Sequence, residues 1–339
     1  MSDDIQVNLR LPVLLKDKIH DSARHNNRSL NAELNERLMQ SFITVEDNYT
    51  NVVAAVLDLA SRFQTSDRLH DIKHRLDFLL EQLRNISHAP FFNPSLIASK
   101  LGYDYATETE KWFKGEAEPS FSQLKLLAKF FGCDESWLQF GIGKPFPTKN
   151  FSQFRDIVNV VDFLTTPEPG FSKVNEILFV RKDSAAGELL IIKVFDDYRS
   201  QTYQTSVHLS DVVGATGTLY RAVITLVFRA LLHSHWKLKV KSYLVKSDMY
   251  ETLTAGEKNA LSVLNRYPFS NWMDDIWDSS MYMEQNQDEN WKGWRDLCLA
   301  ISSSIEIDNK LKLDKEMITN NSHEAITLLN ERFYKYFDN

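Results

Sequence analysis

A single strand-like segment near the start of the chain constrains its fold more than any other feature. The segment IQVNLRLP, residues 5–12, alternates apolar and polar side chains, which is typical of a strand with one buried face. No second strand-like segment lies nearby in the sequence, so its backbone donors and acceptors need a partner from elsewhere. The simplest solution is a second copy of the chain, whose strand pairs antiparallel with the first across a two-fold axis.

Two helices are predicted directly after this strand. Their apolar positions follow helical spacing: Val13, Leu14, Ile19 and Ala23 in the first, and Leu30, Leu34, Leu38 and Phe42 in the second. The first helix is expected from about residue 12 to residue 25. Asn27 is predicted to close it in the left-handed region, and Ser29 is predicted to cap the second.

The polar face of the predicted ribbon indicates a function. It presents Gln6, Asn8 and Arg10 from each strand. A two-stranded ribbon fits the major groove of B-DNA, where Arg pairs with guanine and Asn or Gln pairs with adenine through two hydrogen bonds each. We therefore predict base reading by these residues. The alternative is an amphipathic strand in an unrelated sheet, with polar side chains that are only solvated.

The segments QVNLRLP and NNRSLNAELNERLMQSF resemble the ribbon-helix-helix repressors of the Arc type. The resemblance implies a dimer over residues 1–44 that binds double-stranded DNA. It also implies three sets of residues: base-reading Gln6, Asn8 and Arg10, phosphate-binding Ser29, Leu30 and Asn31 at the start of the second helix, and a structural charge cluster of Arg28, Glu33 and Arg37.

Residues 45–88 are predicted to form a helical connector with almost no Gly or Pro. Its second part carries apolar residues that alternate by three and four: Leu69, Ile72, Leu76, Leu79, Leu83 and Ile86. This spacing fits a coiled-coil seam that would multiply DNA-binding units. It also fits a helix packed into the core of its own domain, which is the interpretation we favour.

Residues 89–147 resemble the lambda-repressor-like helix-turn-helix domains. The matching segments are LIASKLGYD, YATETEKWFKG and PSFSQLKLLAKFFGCDESWL. The second of these, in the place of the recognition helix, carries Glu108 and Glu110, whose carboxylates would be repelled by phosphates. We therefore favour a scaffold or protein-interaction role. If the module contacts DNA, the expected contacts are Tyr105, Thr107, Thr109 and Lys111.

The overall fold class is mainly α, with an α+β domain and a mixed sheet over residues 148–339. The predicted strands are EILFVRK, ELLIIKVF, YQTSVHL and WKLKVKSYLVK. The predicted helices span residues 219–232, 254–267, 271–283, 291–303 and 323–337. We recognise no family in this part of the chain.

Candidate chemistry in the C-terminal part is sparse. Three groups were considered: His233 and His235 as metal ligands, Glu188, Lys193, Asp196 and Asp197 as a nuclease site, and Lys237, Lys239 and Lys241 as an anion-binding strand. The first two groups lack the spacing that their chemistry needs. The lysine strand could bind an anion or nucleic acid, but lysines on a solvated edge strand are the simpler explanation. We expect no metal, no cofactor and no enzymatic activity.

Composition and net charge limit the classes of function that are compatible with this chain. The net charge of −7 argues against a basic coat over the whole molecule, although one local DNA-binding face remains compatible with it. Two distant cysteines and the acidic start MSDDIQ favour a reduced, cytoplasmic protein without a signal peptide. Residues 219–232 are too short and too charged to span a membrane.

We therefore predict a dimeric or larger DNA-binding transcriptional regulator, a repressor or autoregulator of phage or mobile-element type. Its C-terminal domain would sense a protein or small-molecule effector, or hold the oligomer together. The alternative is a toxin or phage-defence effector, in which the C-terminal domain carries the activity and the DNA-binding modules localise or autoregulate it.

Overall fold

The structure is a computed structural model, and it describes residues 10–43, 68–86, 91–234, 238–276 and 290–320. The chain divides into two compact units, residues 1–68 and residues 69–339. Residues 5–9 of the predicted ribbon strand lie outside the described residues. Residues 45–67 and 87–88 of the predicted connector also lie outside them.

The small unit contains two helices, α1 (Val13–His25) and α2 (Leu30–Ile43). The turn between them has Asn27 in the left-handed region, with φ 52°. The N–H of Arg28 donates to the carbonyl of Ala23 at 2.9 Å, and the N–H of Asn27 donates to the carbonyl of Arg24 at 3.3 Å. These two bonds close a helix in the Schellman pattern. The prediction for Asn27 is confirmed.

The large unit begins with a helical bundle. Residues 68–84 form α3, and four further helices follow: α4 (Pro94–Lys100), α5 (Thr107–Lys114), α6 (Phe121–Phe131) and α7 (Glu135–Phe140). The apolar stripe of α3 is buried in the bundle core, with Leu76 at 0% exposure, and it shares that core with Leu124 and Leu127 of α6. The interpretation of this helix as part of its own domain core is confirmed.

Local sequence explains where the bundle helices begin and end. α6 begins after Ser120, whose hydroxyl accepts from the N–H of Gln123 while the Gln123 side chain accepts from the N–H of Ser120. It ends at Gly132, which has a positive φ of 67°. Asp134 caps α7 by accepting from the N–H of Trp137 at 2.9 Å.

A five-stranded mixed sheet forms the second part of the large unit. Its strands are β1 (Lys149–Phe151), β2 (Glu176–Lys182), β3 (Glu188–Val194), β4 (Ser200–His208) and β5 (Lys239–Val245), in the spatial order β1-β4-β3-β2-β5. β2, β3 and β4 are antiparallel neighbours, whereas β1 runs parallel to β4 and β5 runs parallel to β2. The predicted mixed sheet is confirmed.

Helices cover both faces of this sheet. They are α8 (Ile157–Thr165), α9 (Ala215–Ser234), α10 (Ser247–Ala255), α11 (Ala260–Val263), α12 (Trp272–Asp275), α13 (Trp294–Ile307) and α14 (Asn309–Thr319). Successive side chains of a strand point to opposite faces. Accordingly, Ile177 and Phe179 pack in the core with α9, while Leu178 and Val180 pack in the core with α10. Burial on both faces explains the continuous apolar runs of β2 and β3.

Several predicted elements differ from the structure. The single helix predicted over residues 254–267 is wrong, because α10 ends at Gly256, where φ is 68°. The carbonyl of Gly256 accepts from the N–H of Phe146 at 2.9 Å, and a Cβ at this position would lie 2.6 Å from the carbonyl oxygen of Phe146. β1, α8, α10 and α14 were not predicted. The predicted helix of residues 323–337 lies outside the described residues, as does residue 277 onward of the helix predicted over residues 271–283.

The helical bundle and the sheet belong to one unit and share direct contacts. The side chain of Gln82 accepts from the N–H of Asn259 at 3.2 Å, and Arg199 donates to the carbonyl of Lys129 at 3.1 Å. The domain boundary predicted between residues 147 and 148 lies within this unit.

Candidate nucleic-acid interface

Of the three predicted base-reading residues, the structure describes Arg10. Its side chain is exposed, and it lies two residues before Pro12, at the start of α1. The carbonyl of Pro12 accepts from the N–H groups of Leu15 and Lys16 at 3.0 Å, which fixes the point where the extended segment becomes a helix. Gln6 and Asn8 lie outside the described residues.

The predicted phosphate-binding residues lie at the start of α2. The hydroxyl of Ser29 accepts from the N–H of Ala32 at 3.2 Å, so Ser29 caps the helix as predicted. Within the part of the chain that the structure describes, the N–H groups of Leu30 and Asn31 have no acceptor. These two groups point along the positive end of a 14-residue helix, which is a favourable position for a phosphate.

The predicted charge cluster is present in an altered form. Glu33 is 2% exposed, and its carboxylate accepts from Nε of Arg37 at 3.0 Å and from Nδ2 of Asn26 at 3.0 and 3.2 Å. The hydrogen bonds from Asn26 and Arg37 hold the pKa of Glu33 below its ordinary value. Arg28 instead forms an ion pair with Glu36 at 3.3 Å. Sequence reasoning missed Asn26 as the second partner of the buried carboxylate.

An apolar surface is exposed on both helices of the small unit. Val13 and Leu14, predicted to lie on the buried side of α1, are 73% and 79% exposed, and Leu38 of α2 is 50% exposed. In contrast, Ile19 and Ala23 are buried as predicted. Exposed apolar side chains that form a patch commonly mark a site of association.

Comparison with known families agrees with these local features. Residues 1–44 match the family described as Arc-like DNA binding domain. The chain carries an Arc-like DNA binding domain at residues 1–44. This domain indicates sequence-specific DNA binding. No curated protein and no solved structure matches the chain.

Outside the Arc-like domain, the second predicted set of DNA contacts requires a correction. Tyr105, Thr107 and Lys111 are exposed, whereas Thr109 is fully buried. Thr109 lies on the same side of α5 as the buried Trp112 and faces the bundle core. The prediction that Thr109 contacts DNA is therefore wrong. Glu110 accepts from the hydroxyl of Ser95 at 2.8 Å.

The acidic and basic residues considered as a nuclease site do not come together. Glu188 accepts from the hydroxyl of Ser184 at 2.6 Å, while Lys193, five positions further along β3, points to the opposite face. Lys193 is 2% exposed and donates to the carbonyl of Thr166 at 3.1 Å; its burial lowers the pKa of the amine to about 8. Asp196 pairs with Arg199 at 2.5 Å.

The remaining candidates belong to the large unit. Lys241 of β5 pairs with Glu176 at 2.6 Å and Lys239 is exposed, at the edge of the sheet. Lys237, His235 and the side chain of His233 lie outside the described residues. Among the residues that are described, no group of three or more His, Cys, Asp or Glu side chains could hold a metal ion, and no helix could cross a membrane.

Proposed function

We propose that this chain is a sequence-specific transcriptional regulator, a repressor or autoregulator that binds operator DNA as a dimer or larger oligomer. The observation that carries the proposal is the match of residues 1–44 to the Arc-like DNA binding domain. In the proposed complex, Gln6, Asn8 and Arg10 read bases from a two-stranded ribbon in the major groove. The exposed position of Arg10 supports this role.

The proposed complex also uses the start of α2. There Ser29, Leu30 and Asn31 bind a phosphate, which fixes the position of the ribbon on the duplex. The capped helix start and the two N–H groups without acceptors among the described residues support this role. The exposed apolar surface of Val13, Leu14 and Leu38 supports a second copy as the partner in this unit.

The large unit is proposed to serve regulation or assembly. The helical bundle of α4 to α7, which resembles a helix-turn-helix module, is proposed as a scaffold or protein-interaction element. Its exposed Glu108 is unfavourable next to DNA phosphates. Its helix α6 is joined to the sheet domain by the hydrogen bond from Arg199 to the carbonyl of Lys129. The sheet domain is proposed to respond to a protein or small-molecule effector.

The direct test begins with selection of binding sites from a random DNA library by the full chain. On the selected site, Arg10→Ala should weaken specific binding by roughly 1–3 kcal/mol for each base that it reads and should relax the preference at those positions. Arg155→Ala removes a similarly exposed arginine from the large unit and should leave binding unchanged. Unchanged affinity and preference in the Arg10 variant would refute base reading by the ribbon.

A truncation separates the two candidate DNA-binding modules. Removal of residues 1–44 should abolish specific binding and leave the large unit, which is a separate compact unit, folded. A footprint on the same site by the truncated chain would instead identify the helix-turn-helix-like module as the reader.

A further inference from the structure

A cleft of about 960 Å³ opens on the sheet domain of the large unit. The turn between β2 and β3, the segment after β4 and the start of α13 form its walls. Five of its lining residues are charged: Arg181, Lys292 and Arg295 are cationic, and Asp211 and Asp296 are anionic. The volume lies in the range of about 300–1,000 Å³ that is typical of small-molecule sites.

Arg181 lies at the floor of this cleft and is 1% exposed. Its guanidinium donates to the carbonyls of Leu209, Lys182 and Ser184 at 2.9, 2.9 and 3.2 Å, with a second bond to Leu209 at 3.2 Å. One face of the group rests on the ring of Trp291, 3.7 Å from the ring centroid. Four of its five N–H groups are thus used, and the remaining one, on Nη1, has no acceptor among the described residues.

The positive charge of Arg181 has no close counter-charge. In the described part of the chain no carboxylate lies within 4 Å of it, although Asp183 and Glu188 act on it from further away. Burial lowers the pKa of Arg181 to about 10, so the group is still charged at neutral pH. A buried cation that lacks a counter-ion is unfavourable, and a bound anion would offset that cost.

The start of α13 adds further donors on the rim. Lys292 is exposed, Arg295 is half-buried, and neither forms an ion pair within the described ranges. The helix is 14 residues long and has Gly293 at its N-cap without a side-chain cap. Over the same ranges, the N–H groups of Arg295 and Asp296 have no acceptor. Exposed backbone donors and cationic side chains together suit a phosphate, whose oxygens accept several hydrogen bonds at once.

The two carboxylates on the cleft do not reverse its charge. Asp211 lies near a second buried arginine, Arg221, which is 5% exposed and donates to the carbonyls of Ser210 at 2.6 Å and of Asp211 at 3.2 Å. Asp296 lies in the first turn of α13, where a carboxylate is stabilised by the helix dipole. With three cations against two carboxylates, of which one is matched by Arg221, the cleft is positive.

We propose that this cleft binds the phosphate groups of a small molecule of nucleotide size. Lys292, Arg295 and the N–H groups of α13 contact the phosphates, and Arg181 supplies the buried positive charge behind them. The site is independent of the DNA-binding proposal, because it lies in the other unit and involves no residue of the Arc-like domain.

Isothermal titration of the full chain with ATP, inorganic pyrophosphate and succinate at physiological salt tests the proposal. ATP should bind at one site, and the double variant Lys292→Ala/Arg295→Ala should weaken that binding roughly tenfold or more, because two charge-assisted contacts are lost. The matched control Lys258→Ala/Lys310→Ala removes two exposed lysines elsewhere in the unit and should bind as the unaltered chain does. Arg10→Ala should also bind ATP normally, which excludes ATP bound at Arg10 of the Arc-like domain.

The outcomes separate the alternatives. Equal ATP affinity in the Lys292/Arg295 variant would overturn the site, provided that its thermal unfolding midpoint is unchanged, and so would the absence of ATP binding to the unaltered chain. Succinate binding as tightly as ATP would overturn the preference for phosphate. Pyrophosphate binding as tightly as ATP would overturn a nucleotide-sized ligand in favour of a free phosphate compound.

Discussion

The two units of this chain differ in how they bury their apolar side chains. In the small unit, the buried apolar side chains of described residues 10–39 are Ile19 and Ala23, while Val13 and Leu14 are more than 70% exposed. In the large unit, helices cover both faces of the sheet and α3 fills the bundle core. Within the described residues, the large unit therefore buries its apolar side chains in cores of its own, whereas the small unit leaves apolar side chains exposed, which agrees with the proposed dimer.

The largest expected effect that tests this contrast comes from replacing one leucine by alanine in each unit. Leu76→Ala removes a fully buried side chain from α3 and should cost about 2–5 kcal/mol of unfolding free energy, at any protein concentration. Leu38→Ala removes a side chain that is half exposed in one chain but would be buried in a dimer. It should cost a similar amount, and the cost should appear as weaker dimerisation in sedimentation equilibrium.

An exposed leucine of the large unit serves as the control for this pair. Leu313→Ala on α14 starts from 59% exposure, close to that of Leu38, and should change stability by less than about 0.5 kcal/mol. If Leu38→Ala behaved like Leu313→Ala, the small unit would not be completed by a second copy through this surface.

The second largest effect concerns the close packing of the large unit. Gly187 and Gly143 both have positive φ, 57° and 84°. A Cβ at Gly187 would lie 2.3 Å from the carbonyl oxygen of Leu209 and 2.5 Å from Nη2 of Arg181, whereas a Cβ at Gly143 would meet nothing within 4 Å. Gly143→Ala should cost about 1 kcal/mol for its backbone conformation. Gly187→Ala should cost roughly 1–3 kcal/mol more for the overlap, measured by denaturant unfolding.

This pair of glycines also tests the position of Arg181. If both variants lost the same stability, the loop around Arg181 would be able to move aside, and the buried guanidinium would not be held as rigidly as its four hydrogen bonds indicate. Unequal losses would support a large unit whose interior tolerates little change.

Sequence patterns predicted elements well where local chemistry decides the structure. The left-handed Asn27 and the cap at Ser29 depend on residues within one turn, and both were predicted. The strands β2 and β3 were predicted because sheet burial on both faces gives continuous apolar runs. In contrast, β1 has only three residues and depends on its pairing with β4, so no local pattern distinguishes it.

Two elements that differ from the predictions, α8 and the end of α10, have recognisable patterns in the sequence. Ile157, Val160, Val161 and Leu164 repeat with helical spacing in α8 behind the cap Asp156, within a region interpreted as a domain boundary. Gly256 interrupts the helix predicted over residues 254–267, and glycine is a common helix terminator. These elements were predictable from pattern and turn chemistry.

The candidate sites were harder to predict than the elements. Thr109 was predicted to contact DNA from an exposed position. Which side of α5 is buried depends on packing with other helices of the bundle, and that packing buries Thr109. In the sequence, Arg181 is one charged residue near the end of the apolar strand EILFVRK, and nothing around it indicates that it is buried. Its partners Leu209 and Trp291 are 28 and 110 positions away in sequence, so its burial follows from tertiary structure alone.

The stability of the large unit should also depend on pH. Burial of Lys193 lowers the pKa of its amine to about 8, below the ordinary value of 10.5. Between these pH values the unfolded chain holds the proton that the folded chain has released, so the stability of the large unit should rise as the pH increases from about 8 to 9.5. Chemical denaturation over this range should show the rise, and Lys193→Met should remove it. A slope that is the same in both proteins would contradict the lowered pKa of Lys193.

The smallest predicted effect compares the same helix cap in both units. Ser29 and Ser120 each accept a hydrogen bond from a backbone N–H at the start of a helix, so Ser29→Ala and Ser120→Ala should each cost about 1 kcal/mol. Ser120→Ala should leave DNA affinity unchanged, because its helix belongs to the bundle core of the large unit. Ser29→Ala should lower DNA affinity as well as stability, since the same helix start supports the proposed phosphate contact. Equal DNA affinity of the two variants would show that the start of α2 is only a structural cap.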